Sequence, residues 1–245
     1  KQLGAALGSS NFKVEFITKK VEEWTEEISQ LTKVAYTEPQ AAYSAFIQGV
    51  KHKWTYTMRT VEDISQLLQP LEDCIHQKFI PVLVGQNINE NERELIALPP
   101  RLGGLGITNP VQISDMEYEN SMKLTAQLQH LIVNQDTDGE MNEEKMKEEK
   151  SCIKERRNTH FNDQLEKVKS KLNQEKQKLL EASMEKGASN WLSCLPIAEY
   201  GFNLNKQEFR DAIKLRYGWS LTRLPTTCTC GFPFSVHHAM SCKLG

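Results

Sequence analysis

From Phe12 onward the apolar residues Phe12, Phe16, Val21, Trp24, Ile28, Leu31 and Ala35 recur at helical spacing, with polar side chains between them. That period lays one apolar stripe along a helix, and Ser9 or Ser10 offers a hydroxyl to cap its first turn. A second helix is expected from Pro39, whose fixed φ suits a first turn. It carries the stripe Ala42, Phe46, Val50 and Trp54 and ends near Arg59. A third runs from about Asp63 through Leu67, Leu71, Ile75 and Phe79, where Pro70 and Pro81 are expected to bend or break it.

Two prolines and three glycines between Leu98 and Ile107 favour a turn over any helix. Helical periodicity resumes from about Pro110 to Val133, and Gln135 to Gly139 is polar. Residues 140–186 then hold twelve basic and eleven acidic side chains, the texture of a solvated helix or pair of helices. Within them Phe161, Leu165, Val168 and Leu172 form a narrow 4-3-4 seam. The seam is short, so docking on the chain's own fold is expected ahead of an intermolecular coiled coil. After Gly187 the texture turns aromatic again, with Trp191, Leu195, Phe202, Phe209, Tyr217 and Trp219. The pattern therefore predicts a mainly α protein in three parts: a helical bundle over 1–134, a charged helical connector over 135–187 and a small unit over 188–245.

Composition narrows the setting. Hydrophobic residues make up 39% and charged residues 25%, with a mean hydropathy of -0.53, the balance of a soluble chain. No stretch approaches the roughly 18 apolar residues that span a bilayer, and Lys1 to Gly8 is too short and mixed for a signal peptide. The expectation is an intracellular protein, nuclear or cytoplasmic, with no membrane partner. A net charge of -2 excludes a uniformly basic coat, so any surface for a polyanion must be local. The chain begins with Lys and stops three residues after Cys242, which reads as a piece of something longer.

In an intracellular setting six cysteines call for something other than disulfides, and three of them crowd into the last eighteen positions. Cys228-Thr-Cys230-Gly231 presents two thiolates on one turn, with Gly231 free to adopt a positive φ. His237 or His238, with Cys242, completes a set of four soft or borderline donors, as tetrahedral zinc requires. His238 is preferred because it lies four residues before Cys242, on the same helical face. Four protein ligands leave no open position, so Cys228, Cys230, His238 and Cys242 would hold structural rather than catalytic zinc. The plainer alternative is three buried thiols and two surface histidines. Cys74 and Cys194 sit among apolar residues and read as small core side chains.

Lys51, Lys53 and Arg59 place three fixed positive charges around Trp54 and Tyr56, a combination suited to phosphate contact with base or sugar stacking. Against this, an aromatic at helical spacing often packs inward, leaving lysines that merely solvate the helix. The last unit, from Ala188, carries a net charge of +3, with Arg210, Lys214, Arg216 and Arg223 among its cations.

In their order, these stretches resemble the reverse transcriptases of non-LTR (LINE-like) retroelements, in the region that follows the polymerase palm. The resemblance rests on Leu3-Gly-Ala-Ala-Leu-Gly8, on Gln66-Leu-Leu-Gln-Pro-Leu-Glu-Asp73 with Phe79-Ile-Pro81, and on the Pro-x-Arg-x-Gly-Gly-x-Gly-Ile turn ending at Ile107. It continues through Glu185-Lys-Gly-Ala-Ser-Asn-Trp-Leu192, Phe209-Arg-Asp-Ala212 with Leu215-Arg-Tyr-Gly218, and the Cys-x-Cys-Gly to His-Ala-x-x-Cys cluster, whose family histidine matches His238. Together they cover nearly the whole chain.

The resemblance implies a helical thumb-like bundle, a connector and a zinc module that bind and position template-primer and target nucleic acid, RNA and DNA. Lys51, Lys53, Trp54, Arg59, Arg101, Arg210 and Arg216 are the candidate contacts. It also implies where the chemistry lies: in this family, palm aspartates, two of them in Tyr-x-Asp-Asp, hold two magnesium ions for phosphoryl transfer. No Tyr-x-Asp-Asp occurs in this sequence, and Asp63, Asp73 and Asp115 match no catalytic motif. The chain alone is expected not to polymerise DNA, with Mg2+ confined to the palm. Two other classes compete. A helical scaffold would recruit a protein partner through Leu165 and Leu172, whereas a zinc hydrolase or deaminase would need an open metal position and a His-x-Glu base, which the sequence lacks.

Overall fold

The computed structural model describes residues 6, 8–136, 139–221 and 224–244. Most of the Leu3–Gly8 motif, and Arg223, lie outside them. The described residues are mainly helical and form no strand. In chain order the α-helices are α1 (Ser10–Thr37), α2 (Pro39–Ala45), α3 (His52–Thr60), α4 (Gln69–Cys74), α5 (Ile80–Val84) and α6 (Glu90–Ala97). They continue as α7 (Pro110–Val133), α8 (Glu143–Ser170), α9 (Gln174–Met184), α10 (Lys206–Tyr217) and α11 (Val236–Ser241). Among the described residues no helix is long and apolar enough to cross a membrane.

Helix α1 follows the predicted stripe from Val21 onward, whereas Phe12 at its start is exposed and Phe16 half-buried. Ser9 accepts a hydrogen bond from the Phe12 backbone N–H, and Ile17, Val21, Trp24, Ile28 and Ala35 are buried. The next two stripes have a different outcome. Ala42, Phe46, Val50 and Trp54 are spaced strictly by four, as are Leu67, Leu71, Ile75 and Phe79. On a helix of 3.6 residues per turn such a stripe drifts by ~40° per step. In both places the backbone widens into a π turn, at Phe46–Val50 and at Ile75–Phe79. The wider turn takes up the drift, so Phe46, Trp54, Leu71, Ile75 and Phe79 all face the core. The two π turns meet where the rings of Phe46 and Phe79 stack, with centroids 5.0 Å apart. The prolines do not break the third segment. Pro70 and Pro81 sit in the first turns of α4 and α5, where a missing N–H is harmless.

Periodicity alone passes over α6, which begins with a capping box in which Asn89 and Glu92 bond to each other's backbone N–H. It carries Arg93 into the core. There the guanidinium makes two 2.7 Å bonds to the Glu72 carboxylate and donates to the Ile107 carbonyl at 2.7 Å. Both side chains are buried.

The turn at 98–107 is likewise interior: Leu98, Leu102, Leu105 and Ile107 are all buried. A buried turn needs partners for its carbonyls. Tyr43 supplies one to Leu105 at 2.8 Å, Tyr217 one to Gly103 at 3.1 Å, and Arg93 the one to Ile107. Burial raises the pKa of both phenols, that of Tyr217 to about 12, so they stay protonated donors. Gly104 cannot carry a side chain, because a Cβ there would lie 1.9 Å from the Leu98 carbonyl oxygen.

The seam on α8 packs inward, with Leu165 and Val168 buried and Phe161 and Leu172 against the same core. That burial takes Leu165 away from any partner-recruiting role. The core also runs through the expected boundary at 187/188. Phe209 and Ile213 of α10 are fully buried, and Phe209 contacts Tyr43 and Trp191 with ring centroids 5.9 Å away in each case. The amide of Gln40 clamps the loop before α10, donating to the Phe202 carbonyl and accepting from the Leu204 N–H. Packing ends at Trp219 instead, and no residue described from 224 to 244 is buried. Leu195 and Phe202 are exposed despite their hydrophobicity, and so is Cys194. The core reading of Cys194 is corrected, since the 3-10 turn Asn190–Leu192 directs Leu192 inward and leaves the next residues outside. Cys74 is buried as expected.

Candidate metal centre and basic groove

The C-terminal segment builds its site from two short pieces. In the first, residues 226–234 fold back on themselves. Cys228 N–H donates to the Phe232 carbonyl at 2.8 Å, Phe234 N–H to the Thr226 carbonyl at 3.1 Å, and Gly231 N–H to the Cys228 carbonyl at 2.8 Å. Gly231 closes this knuckle at φ 86°, a conformation that glycine adopts without steric cost. In the second piece, the Ser235 hydroxyl caps α11 by accepting from the His238 N–H at 3.0 Å. One turn of helix then sets His238 beside Cys242.

The result is a cluster in which one ligand atom each from Cys228, Cys230, His238 and Cys242 lies within 4.8 Å of the others. Cys228 Sγ and Cys242 Sγ are 3.7 Å apart, and Cys230 Sγ is 3.1 Å from His238 Nε2. A tetrahedron with metal–sulfur bonds of ~2.3 Å has edges of roughly 3.8 Å between sulfurs, so the Cys228–Cys242 edge has the right length. The Cys228 thiol is drawn down to about 6, first by a hydrogen bond from the Cys230 backbone and further by the His238 and Thr229 side chains. A backbone aimed at a sulfur in this way favours the thiolate, the form that binds metal. His237, the other histidine weighed from the sequence, is not part of the cluster.

The seven candidate nucleic-acid contacts fall into three groups. Trp54 is 1% exposed, packed against Trp24 and Phe46, and its ring has no free face for a base. This corrects its candidacy, because an aromatic on a helical apolar stripe is drawn into the core. Arg210 and Arg216 are engaged with backbone carbonyls. Arg210 donates to the Val82 and Leu83 carbonyls at the end of α5 and to Ala35 near the end of α1. Arg216 donates to Gly103, Pro100 and Ser183 carbonyls and to the Ser189 hydroxyl. Both act as helix-end and turn clamps, a role that the positive charge of the last unit does not reveal. Lys214 is buried as well. Lys51 is half-buried, and burial pushes its ammonium below the usual range, while Lys53 pairs with Glu27 at 2.6 Å.

Only Arg59 and Arg101 come together. They line one groove of about 410 Å³ between α3, α7 and α8, where α8 adds Lys150, Lys154 and Arg157. Glu117, almost buried on α7, fixes two of these cations. It accepts from Arg59 Nε at 2.8 Å and from Arg157 at 2.7 and 2.8 Å. Arg101 is held at 2.8 Å by Asn158. The three α8 residues were not singled out in the sequence, because their helix is a near-even mixture of charges. The signal was their spacing, Lys150, Lys154 and Arg157, which aligns them on one face. Among protein-family models, curated proteins and solved structures, none matches this chain.

Proposed function

We propose that the chain is the thumb, helical connector and zinc module of a retroelement RNA-directed DNA polymerase, binding and positioning RNA and DNA while the chemistry is done by a palm elsewhere. The observation that carries the reading is the closed Cys3His arrangement, standing at the place where the resembling family has its Cys/His module. Cys228, Cys230, His238 and Cys242 would hold the ion, and three thiolates with one imidazole at tetrahedral spacing suit zinc. The ion would supply no reactivity there, because all four positions are protein ligands. It would close the knuckle onto α11 and present a compact, rigid end.

The reading is tested by titrating the purified chain with RNA, DNA and RNA–DNA hybrid oligonucleotides. Binding is expected at low salt and should weaken steeply as salt rises, the mark of phosphate contacts. A chain that ignores all three at low salt rules the reading out. The coding sequence upstream of Lys1 gives an independent check, a Tyr-x-Asp-Asp motif within about one domain length being the expected finding.

A further inference from the structure

The outer halves of α7 and α8 form a hairpin that stands away from the core. Buried positions on α7 end at Asn120 and those on α8 begin at Ile153, and no residue described from 121 to 152 is buried. The two arms are tied near the tip, where Gln127 donates to the Asn142 carbonyl at 3.3 Å and accepts from the Asn142 N–H at 2.9 Å. At the root, Arg156 donates to Asn120 Oδ1 at 3.2 Å.

Two helices alone cannot enclose an apolar stripe, and this pair carries one. Leu124, Leu128, Leu131 and Ile132 recur at i, i+4, i+7 and i+8, and Lys123 is the single Lys, Arg, Asp or Glu between Ser121 and Val133. Leu131 turns toward Gly139 and is half-buried, whereas Leu124, Leu128 and Ile132 are 40, 46 and 66% exposed. A helix that sheds its charges while showing leucine and isoleucine to solvent marks a contact surface.

Charge is sorted along the same hairpin. From 131 to 144, around the tip, the sequence holds five acids and no base. At the root, the groove beside Leu124 is lined by Arg59, Arg101, Lys150, Lys154 and Arg157 and, among the described residues, by no carboxylate. On α8 the series Glu143, Lys147, Lys150, Lys154, Arg157 and Phe161, spaced 4-3-4-3-4, joins tip and root on one face. Lys150 and Lys154 are exposed, and no ion pair among the described residues engages them.

Acid at the tip, an apolar middle and base at the root fit a second copy of the same hairpin turned end for end. A two-fold axis at Leu128 sets Leu128 against its own equivalent and Leu124 against Ile132, and it brings each acidic tip over the cationic root of the other copy. Parallel pairing would set acids on acids, and a nucleic acid strand laid along the hairpin would meet the acidic tip and leave the apolar middle uncovered. The face is about 18 Å long and two helices wide, so pairing covers roughly 700–1,000 Å² in total, the range of weak, reversible complexes.

We infer that the α7–α8 hairpin is a self-association arm, through which two copies of the chain pair antiparallel as a four-helix bundle in a concentration-dependent dimer. This pairing does not rest on nucleic-acid binding, and its failure would leave the function proposed above standing.

Sedimentation velocity of the full chain over a concentration series, in reducing buffer, tests the dimer. The parent is expected to move from monomer to dimer as concentration rises. Leu128→Glu, which sets two carboxylates together at the axis, should stay monomeric throughout. Two double variants, Glu140→Lys with Glu143→Lys at the tip and Lys150→Glu with Lys154→Glu at the root, should each weaken pairing roughly tenfold, because like charges then meet at both ends. Mixing the two double variants should restore parental affinity, since opposite charges meet again in the mixed pair. All the substituted residues are exposed, so melting temperatures measured where the parent is monomeric should match the parent. A parent that is monomeric at every concentration, or a dimer that survives Leu128→Glu, overturns the proposal. Dimers that are indifferent to the charge reversals, or that mixing does not restore, overturn the antiparallel arrangement and the proposal with it.

Discussion

The body of the protein, up to Trp219, and its final segment from Leu224 are held together by opposite means. In the body, α1 to α10 share one apolar core that reaches from Ile17 to Trp219, and its aromatic rings form a chain of contacts from Trp24 through Trp54, Phe46 and Phe79. In the final segment no described residue is buried, and Phe232, Met240 and Leu244 are left largely exposed. About twenty residues cannot exclude enough apolar surface to offset the entropy of ordering them. Four converging donors, Cys228, Cys230, His238 and Cys242, stand where a core would be. The difference teaches that the two parts differ in their chemistry: burial where there is chain to bury, a cluster of metal-competent donors where there is not.

The sharpest way to break that comparison is to remove the zinc proposed for this cluster. Structural zinc in small modules contributes ~10–16 kcal/mol of apparent binding free energy near neutral pH. About one zinc per chain is expected by elemental analysis, and it should be lost in Cys228→Ser. Hydrogen exchange in 226–242 should then rise to that of an unfolded peptide while α1 and α7 remain protected. A body that melts in parallel would show one cooperative unit instead of two.

A smaller but global effect is expected inside the body. Removing one partner of the buried Arg93–Glu72 pair, by Arg93→Ala, should cost about 3–5 kcal/mol in urea unfolding, because it strands a carboxylate. Replacing both with methionine should recover most of the loss, which distinguishes the stranded charge from the missing bond. Metal content should not change in either case. The smallest effect tests the buried turn. Tyr43→Phe removes the hydroxyl that bonds the Leu105 carbonyl and should cost about 1 kcal/mol, read from the same unfolding curves.

Much of this was legible in the chain itself. The spacing in α1 from Val21 to Ala35, the span of α7 from Pro110 to Val133, the turn at 98–107 and the choice of His238 over His237 all follow from short-range rules, and the structure agrees with each. Capping geometry, apolar period and ligand spacing act over a few residues, where sequence neighbours are spatial neighbours. Even the π turns were present in outline, as two stripes spaced strictly by four.

What needed the tertiary structure was every question of what lies opposite. Trp54 and Arg59 sit five residues apart on one helix, yet one ring is enclosed by Trp24 and Phe46 while the other side chain reaches Glu117 on α7. Arg210 and Arg216 read as surface cations until the ends of α1 and α5 and the turn at 98–107 are brought against them. Lys150, Lys154 and Arg157 gained meaning only when α8 folded back beside α3 and α7. The sequence by itself determined the helices, the knuckle and its four clustered donors, because those depend on contacts within a turn or two. Which charges face a carbonyl, a carboxylate or open solvent depended on residues far away in the chain, and packing alone decided it.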